Sequence, residues 1–239
     1  MAIQPNNPFA TRAGTGESAL VDEGLRAYML RVYNYMASGL ALTGIIAFMV
    51  ASSPTLINAI FGSPLAFVVM LAPLGFVFGL SFGIHKMRFS TAQALFWAYS
   101  AVMGLSMATI FLQFTGASVA RVFFISAGTF AAMSLYGYTT KKDLTGLGSF
   151  LFMGLIGVVV ASIVNMFLAS TALHFAISVI GVLVFVGLTA YDTQAIRRMY
   201  VESDGSEVMG KKALMGALRL YLDFINLFIM LLQLFGQRR

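Results

Sequence analysis

Two aspartates stand where a chain this apolar has little reason to keep a charge: Asp192 in GLTAYDTQAI and Asp223 in RLYLDFINLF, two of only nine acidic residues among 239. A carboxylate at membrane depth costs at least ~2.5 to 3.5 kcal/mol at a helix centre, so it persists where it faces the protein interior or a water-filled path. Facing each other there, two carboxylates repel and are both desolvated, which opposes double ionisation and leaves the pair expected to share a proton. The same oxygens suit a passing cation. Calcium takes six to eight oxygens, so Asp192 and Asp223 with backbone carbonyls and waters would form a loose, transient calcium site, and loose binding suits passage rather than storage.

The elements that must position this pair are membrane helices. The chain is 59% hydrophobic and 10% charged, against about 25% charged in a soluble domain. Roughly 20 apolar residues span an apolar core about 30 Å thick. Seven such stretches occur, near Val32 to Ala51, Leu65 to Ile84, Ala92 to Phe114, Ala120 to Tyr138, Leu147 to Ala169, His174 to Ile196 and Ala213 to Phe235. The chain is therefore expected to be all-α, with residues 32–239 forming one transmembrane domain. Residues 1–31 lack an apolar core followed by a cleavage site and do not read as a secretory signal. They suggest a mobile tail over Met1 to Gly16 and a short interfacial helix over Ser18 to Leu30.

Lys and Arg set the orientation, since cytoplasmic loops collect them. Eleven of the 15 fall on one side: Arg12, Arg26, Arg31, Lys86, Arg88, Lys141, Lys142, Arg197, Arg198, Lys211 and Lys212. Arg121, Arg238 and Arg239 fall on the other, and SSPTLINAIFGS is uncharged. The N-terminus is expected in the cytoplasm and the C-terminus outside. Positives dispersed among short loops face anionic lipid, so the net charge of +6 does not point to nucleic acid.

Depth decides whether the two carboxylates can meet. Asp192 precedes Arg197 by ~7.5 Å of helix rise, and Asp223 follows Arg219 by ~6 Å. If Arg219 snorkels to the cytoplasmic interface the depths match; if Lys212 marks that interface, Asp223 lies ~16 Å in. The favoured reading takes Arg219, with YVESDGSEVMG as a solvated cap. Two simpler readings compete: Asp223 pairing with Arg219 at i, i+4 spacing, and Asp192 pairing with Arg197 or Lys211. Asn226 and Gln194 are polar neighbours that could serve as ion ligands, although helix–helix hydrogen bonds suit them better.

Other chemistries find little support. There is no cysteine, which removes disulfides, thiolate metal sites and cysteine catalysis. The only histidines, His85 and His174, fall on opposite expected sides of the membrane. Neither a phosphate-cradling Walker sequence nor a G-x-S-x-G elbow occurs. No resident cofactor is expected. Gly75, Gly79 and Gly83 share one helix face, and close helix packing is the expected use of that stripe, ahead of lining a permeation path.

RVYNYMASGLALTG in the first span, GLTAYDTQAIRRMY closing the sixth and LRLYLDFINLFIMLLQLFG in the seventh resemble the Bax inhibitor-1 family, the transmembrane Bax inhibitor motif proteins, in its bacterial branch. The resemblance covers most of the chain from about Arg26 onward. It implies a seven-helix fold with the last helix central in a ring of six, in a bacterial inner membrane. It also implies a pH-sensitive calcium leak governed by an aspartate pair, carried here to Asp192 and Asp223, with calcium and protons as the partners that pass. Relatives latch the pair with an arginine on span two, whereas span two here carries no charge before His85, Lys86 and Arg88 at its cytoplasmic end. A second implied role is binding, as a regulator of a membrane-anchored protease. Intramembrane aspartyl proteases also place Tyr-Asp on one helix, as Tyr191-Asp192 does. Their G-x-G-D is absent at Tyr221-Leu222-Asp223, and no Pro-Ala-Leu follows, so an enzyme is not expected.

Overall fold

A computed structural model describes the backbone of residues 8–239 and the side chains of residues 23–239. The tail expected over Met1 to Gly16, and the first part of the helix expected over Ser18 to Leu30, lie largely outside those side chains. Eight helices follow in order: α1 (Pro8–Ala51), α2 (Pro54–Phe61), α3 (Leu65–Gly83), α4 (Phe89–Gln113), α5 (Gly116–Thr139), α6 (Thr145–Leu168), α7 (Thr171–Arg198) and α8 (Ser206–Phe235). All but α2 are long and apolar enough to cross a membrane, α1 from Glu23 onward. The chain is an all-α integral membrane protein.

Span ends agree with the expected ones within a few residues in the middle of the chain. The last helix starts earlier, at Ser206 rather than Ala213, because SEVMGKK continues it. Glu207 accepts Lys211 Nζ at 2.9 Å four residues on, an acid-before-base pair at a helix N-terminus. Between the first two spans an uncharged loop was expected, and α2 stands there instead. Ser53 caps it by accepting the Leu56 N–H at 3.4 Å, and Pro54 fills the first turn, where no N–H is needed.

The last helix is the centre of the bundle. It is buried along nearly its whole length, from Gly210 to Leu232. The helices α1, α4, α5 and α7 pack directly on α8, while α3 packs mainly on α4 and α6 on α7. The outer two pay for that position with apolar side chains that only lipid can cover, such as Phe82 at 78% exposed on α3 and Phe167 at 85% on α6. In a bilayer such exposure costs nothing, because lipid tails are as apolar as the core.

Close approach is carried by glycines other than the expected stripe. A methyl group at Gly137 of α5 would strike the Ala190 carbonyl of α7, and one at Gly104 of α4 would meet the Thr43 carbonyl of α1 at 2.7 Å. Gly75 and Gly79 have open space where a Cβ would lie, and Gly83 faces only the flexible Met87 side chain. The expectation of close packing along that stripe is therefore wrong. Gly75 and Gly79 instead border a shallow recess of about 340 Å³ between α3 and α4, since α3 sits at the rim and its glycine face has no helix against it.

At its C-terminal end the chain closes on itself. After α8, Gln237 donates its N–H to Ser118 Oγ at 2.8 Å and accepts the Thr115 N–H at 3.0 Å, and Arg239 N–H reaches the Gln113 carbonyl at 3.0 Å. Gly137→Ala should therefore lower the thermal unfolding temperature of the detergent-solubilised protein, by the ~1–3 kcal/mol typical of overpacking. Gly75→Ala, which enters open space and improves helix propensity, should leave that temperature unchanged or raise it.

Candidate functional site

Asp192 sits near the end of α7 and Asp223 in the middle of α8, two antiparallel helices joined by the short connection 199–205. Asp223 is 5% exposed and is the one charged side chain in the buried set among the described residues. The two carboxyl groups lie close enough for each to feel the other's charge. Asp223 Oδ2 has no donor among the described residues, and an orphaned buried acceptor is expensive. One proton on the pair would supply the missing donor.

Arg219, one turn before Asp223 on α8, reaches toward Asp192 of α7. Its Nη1 lies 3.7 Å from Asp192 Oδ1, long for a hydrogen bond but within ion-pair range. The guanidinium side chain is 43% exposed while that of Asp192 is 15% exposed. The cation is thus the most exposed member of the group, beside a mostly covered carboxylate and a buried one. Two carboxylates and one guanidinium carry a net charge of −1 when both acids are ionised and zero when they share a proton.

The remaining expected site residues fall elsewhere. Arg197 donates to the Tyr138 carbonyl at 2.6 Å and covers the Tyr138 ring at 5.5 Å, and Lys211 pairs with Glu207. Neither is the partner of Asp192. Gln194 spends both ends of its amide on the connection between α5 and α6, donating to the Lys142 carbonyl at 2.8 Å and accepting the Leu144 N–H at 2.9 Å. Asn226 Nδ2 donates to the Leu222 carbonyl of its own helix at 2.8 Å. Both amides are thus engaged with backbone, Asn226 within its own helix and Gln194 with a connection rather than with a neighbouring helix. Lys86 and Arg88 lie in the connection from α3 to α4, where Arg88 borders a recess with Glu207. Among the described residues no three His, Asp or Glu side chains come together as a metal site.

Lys212 binds the α7–α8 connection, donating to the Met199 carbonyl at 2.9 Å and pairing with Asp204. Asp223 lies ~16 Å farther along α8. The connection is also more than a solvated cap: the Tyr200 ring packs on Tyr28 of α1 at 5.8 Å, with its hydroxyl against Gly24. Across the bundle a chain of hydroxyls runs beside the pair, Tyr33 of α1 to Ser134 of α5 at 2.7 Å and Ser134 to Thr193 of α7 at 3.0 Å. Thr193 then donates to the Thr189 carbonyl at 2.7 Å. Two residues before Asp223, the Tyr221 hydroxyl meets Thr43 Oγ1 at 2.6 Å, and Thr43 also donates to the Ser100 carbonyl at 2.8 Å. These hydroxyls were not singled out in the sequence. Their only signal is Tyr, Ser or Thr placed inside apolar runs.

A further carboxylate, Asp143 in the α5–α6 connection, accepts the Thr145 hydroxyl at 2.7 Å, the Thr145 N–H at 3.0 Å and Arg198 Nη2 at 2.9 Å. The Thr145 hydroxyl foremost, then its N–H and Arg198, hold its carboxyl down at about 2, so it stays ionised at every pH above the ordinary carboxylate range.

A profile of the family described as Inhibitor of apoptosis-promoting Bax1 matches residues 25–239. The chain belongs to the Bax inhibitor-1 family. Among family relatives, an uncharacterised protein of Rickettsia prowazekii is 48% identical over 96% of this chain and 97% of its own length. Inner membrane protein YbhL of Escherichia coli is 48% identical over 90% of this chain and 94% of its own. An uncharacterised protein of Borreliella burgdorferi is 44% identical over 89% and 92%. The family match spans both helices of the aspartate pair and every helix packed on them.

Gln194→Leu keeps the side chain's bulk but strands the buried Leu144 N–H, and should destabilise the solubilised protein by ~1–3 kcal/mol while opening the 140–144 segment to limited proteolysis. Unchanged stability with altered cation preference would instead make Gln194 an ion ligand.

Proposed function

We propose that this protein is a pH-sensitive, calcium-permeable leak of the bacterial inner membrane, controlled by the charge on the Asp192–Asp223 pair. The observation that carries this reading is the buried Asp223 oxygen without a donor, facing a second carboxylate across α7 and α8. With a shared proton the pair and Arg219 are neutral and the helices can stay packed. Losing that proton leaves an uncompensated charge at membrane depth, which costs several kcal/mol unless a cation or water enters or the helices part. Protons and calcium compete for the same oxygens. A pair supplying at most four of the six to eight oxygens calcium takes holds it weakly enough to let it go.

Arg219 fills the place of the span-two latch implied by the family. No arginine stands on α3, but Arg219 reaches Asp192 from α8. On the outer side, a cleft of about 630 Å³ between α1 and α5 runs down to Phe224 and Ile225, next along α8 from Asp223. Phe123 and Phe224 line its inner part with ring centroids 5.5 Å apart, and Phe130 packs on Phe224 at 5.7 Å. An apolar closure of this kind stops ions by excluding water. Catalysis is disfavoured because Leu220 and Leu222 stand before Asp223 where the G-x-G-D of an aspartyl protease has the glycines that admit a substrate strand. The alternative role, restraint of a membrane-anchored protease, would draw on residues 1–16, whose side chains are not described.

Calcium flux into liposomes holding the purified protein, followed from pH 5 to 8, tests the leak. Asp192→Asn and Asp223→Asn should each move or flatten the pH profile, and the double variant should be little worse than either, the non-additivity of contacting groups. Asp143→Asn should leave the profile where it is, because a carboxyl held near 2 does not titrate in that window. Additive effects of the two substitutions, or a profile neither one alters, would show that the carboxylates do not act together.

The orientation carries its own test. A reporter fused through a linker after Arg239 should lie outside the cytoplasm, as seven spans from a cytoplasmic N-terminus require. A cytoplasmic reporter would reverse the side from which Arg219 is reached.

A further inference from the structure

At the end of the bundle where α1, α4 and α8 all begin their crossing, Arg31, Arg88 and Ser90 border a recess of about 710 Å³. It adjoins, at Arg31 and Tyr35, a second groove of about 440 Å³ that runs along α1 past Leu30, Asn34 and Ser38 to Trp97 of α4. We propose that the two form one binding site for an anionic glycerophospholipid of the adjacent leaflet, its phosphate between Arg31 and Arg88 and one acyl chain along the groove to Trp97.

Charge and depth both argue for this occupant. Neither Arg31 nor Arg88 has a carboxylate in ion-pair range among the described residues. The one acid at the recess, Glu207, is already taken by Lys211 at 2.9 Å. Two guanidiniums, one on α1 and one just before α4, neither of them in an ion pair, complement a phosphodiester, for which arginine offers a paired donor fork. Below them the surface changes character in the direction a lipid requires. Trp97 lies ~13.5 Å along α4 from Arg88 and Ser38 ~10.5 Å along α1 from Arg31, so the polar head and the apolar floor are separated by about half an acyl chain. The Trp97 ring is held at a fixed tilt by Tyr35 at 6.4 Å and Phe96 at 5.6 Å. Gln93 fastens the Tyr35 hydroxyl at 3.2 Å. Tyr35, where the two recesses join, is therefore a fixed wall rather than a free side chain.

Trp97 is the only tryptophan in the chain, which makes the site directly readable. The full-length protein in detergent is titrated with phosphatidylglycerol brominated at mid-chain, and separately with the same chains on phosphatidylcholine, following quenching of Trp97 emission. The brominated anionic lipid should bind more tightly than the neutral one, by roughly fivefold for each arginine engaged. Arg31→Gln and Arg88→Gln should each remove about that factor, and the double variant should show no preference. Arg121→Gln, at the opposite end of the bundle, should keep it. Unchanged helical circular dichroism and an unchanged emission maximum without bromine exclude misfolding as the cause. Millimolar inorganic phosphate should not relieve the quenching. Equal quenching by the two lipids, a preference that survives loss of both arginines, or displacement by free phosphate would each overturn the proposal.

Discussion

The carboxylate of Asp223 must be kept inside a helix that is itself inside the bundle, and the arrangement of its neighbours follows from that demand. A lone ionised group there would cost several kcal/mol even after relaxation. Its neighbours are few: the second carboxylate of Asp192, and the guanidinium of Arg219 reaching Asp192 at 3.7 Å. This trio can be assembled only if α7 and α8 lie side by side with Asp192 and Asp223 at one height. The short connection between them, with Lys212 gripping Met199 and Asp204, fixes that register. On the far side of α7, Gln194 and Arg197 tie the helix to the ends of α5 and α6. The carboxylate pair is therefore braced from the connection below and from the helix beside it.

Inside a membrane the hydrophobic effect gives helices no reason to prefer each other over lipid, so contact has to come from close fit and hydrogen bonds. Both are concentrated around α8 and α7. Gly137 lets α5 lie against the α7 backbone at Ala190, and Gly104 lets α4 lie against α1 at Thr43. The hydroxyl pairs Tyr33–Ser134, Ser134–Thr193 and Thr43–Tyr221 join the same helices. On α3 a single hydrogen bond stands out, from Ser106 of α4 to the Val69 carbonyl, and the other face of α3 is left to lipid. That difference explains why the glycine stripe of α3 is open. Small residues permit close packing, but a partner helix must be present to use it.

Much of this was readable in the chain, and the failures have a common cause. Apolar runs of the right length gave seven crossings, and the cost of a buried charge was enough to single out Asp192 and Asp223 before any helix was placed. The contact of Arg219 with Asp192 is not legible because sequence offers only the partner one turn away on the same helix, Asp223, while the side chain has a neighbour on α7. Gly75 and Gly79 were misread for the same reason, since spacing reveals a face but not what lies opposite it. The hydroxyl pairs were invisible because Tyr, Ser and Thr within an apolar run look alike whether they bond across helices or back to their own carbonyls, as Ser126 and Ser162 do. In short, properties of one helix could be read from the sequence, and properties of pairs of helices could not.

The way α8 is fastened limits which parts of the molecule can move. At one end Lys212 holds the connection to α7. At the other, the residues after α8 are stitched to the α4–α5 turn by Gln237 and Arg239, and Phe114 fills the space beside Gly236. A helix buried along its length and pinned at both ends would have to break several backbone hydrogen bonds to slide or turn. No direct packing of α1 on α5 closes the space over Phe224, where the 630 Å³ cleft lies. A change in the charge of the pair is thus expected to act on what surrounds α8, by loosening α7 beside it or letting α1 and α5 separate over the phenylalanines. In that arrangement the central helix would hold the carboxylate still while the wall around it opens, so the charge stays at one depth as the barrier changes.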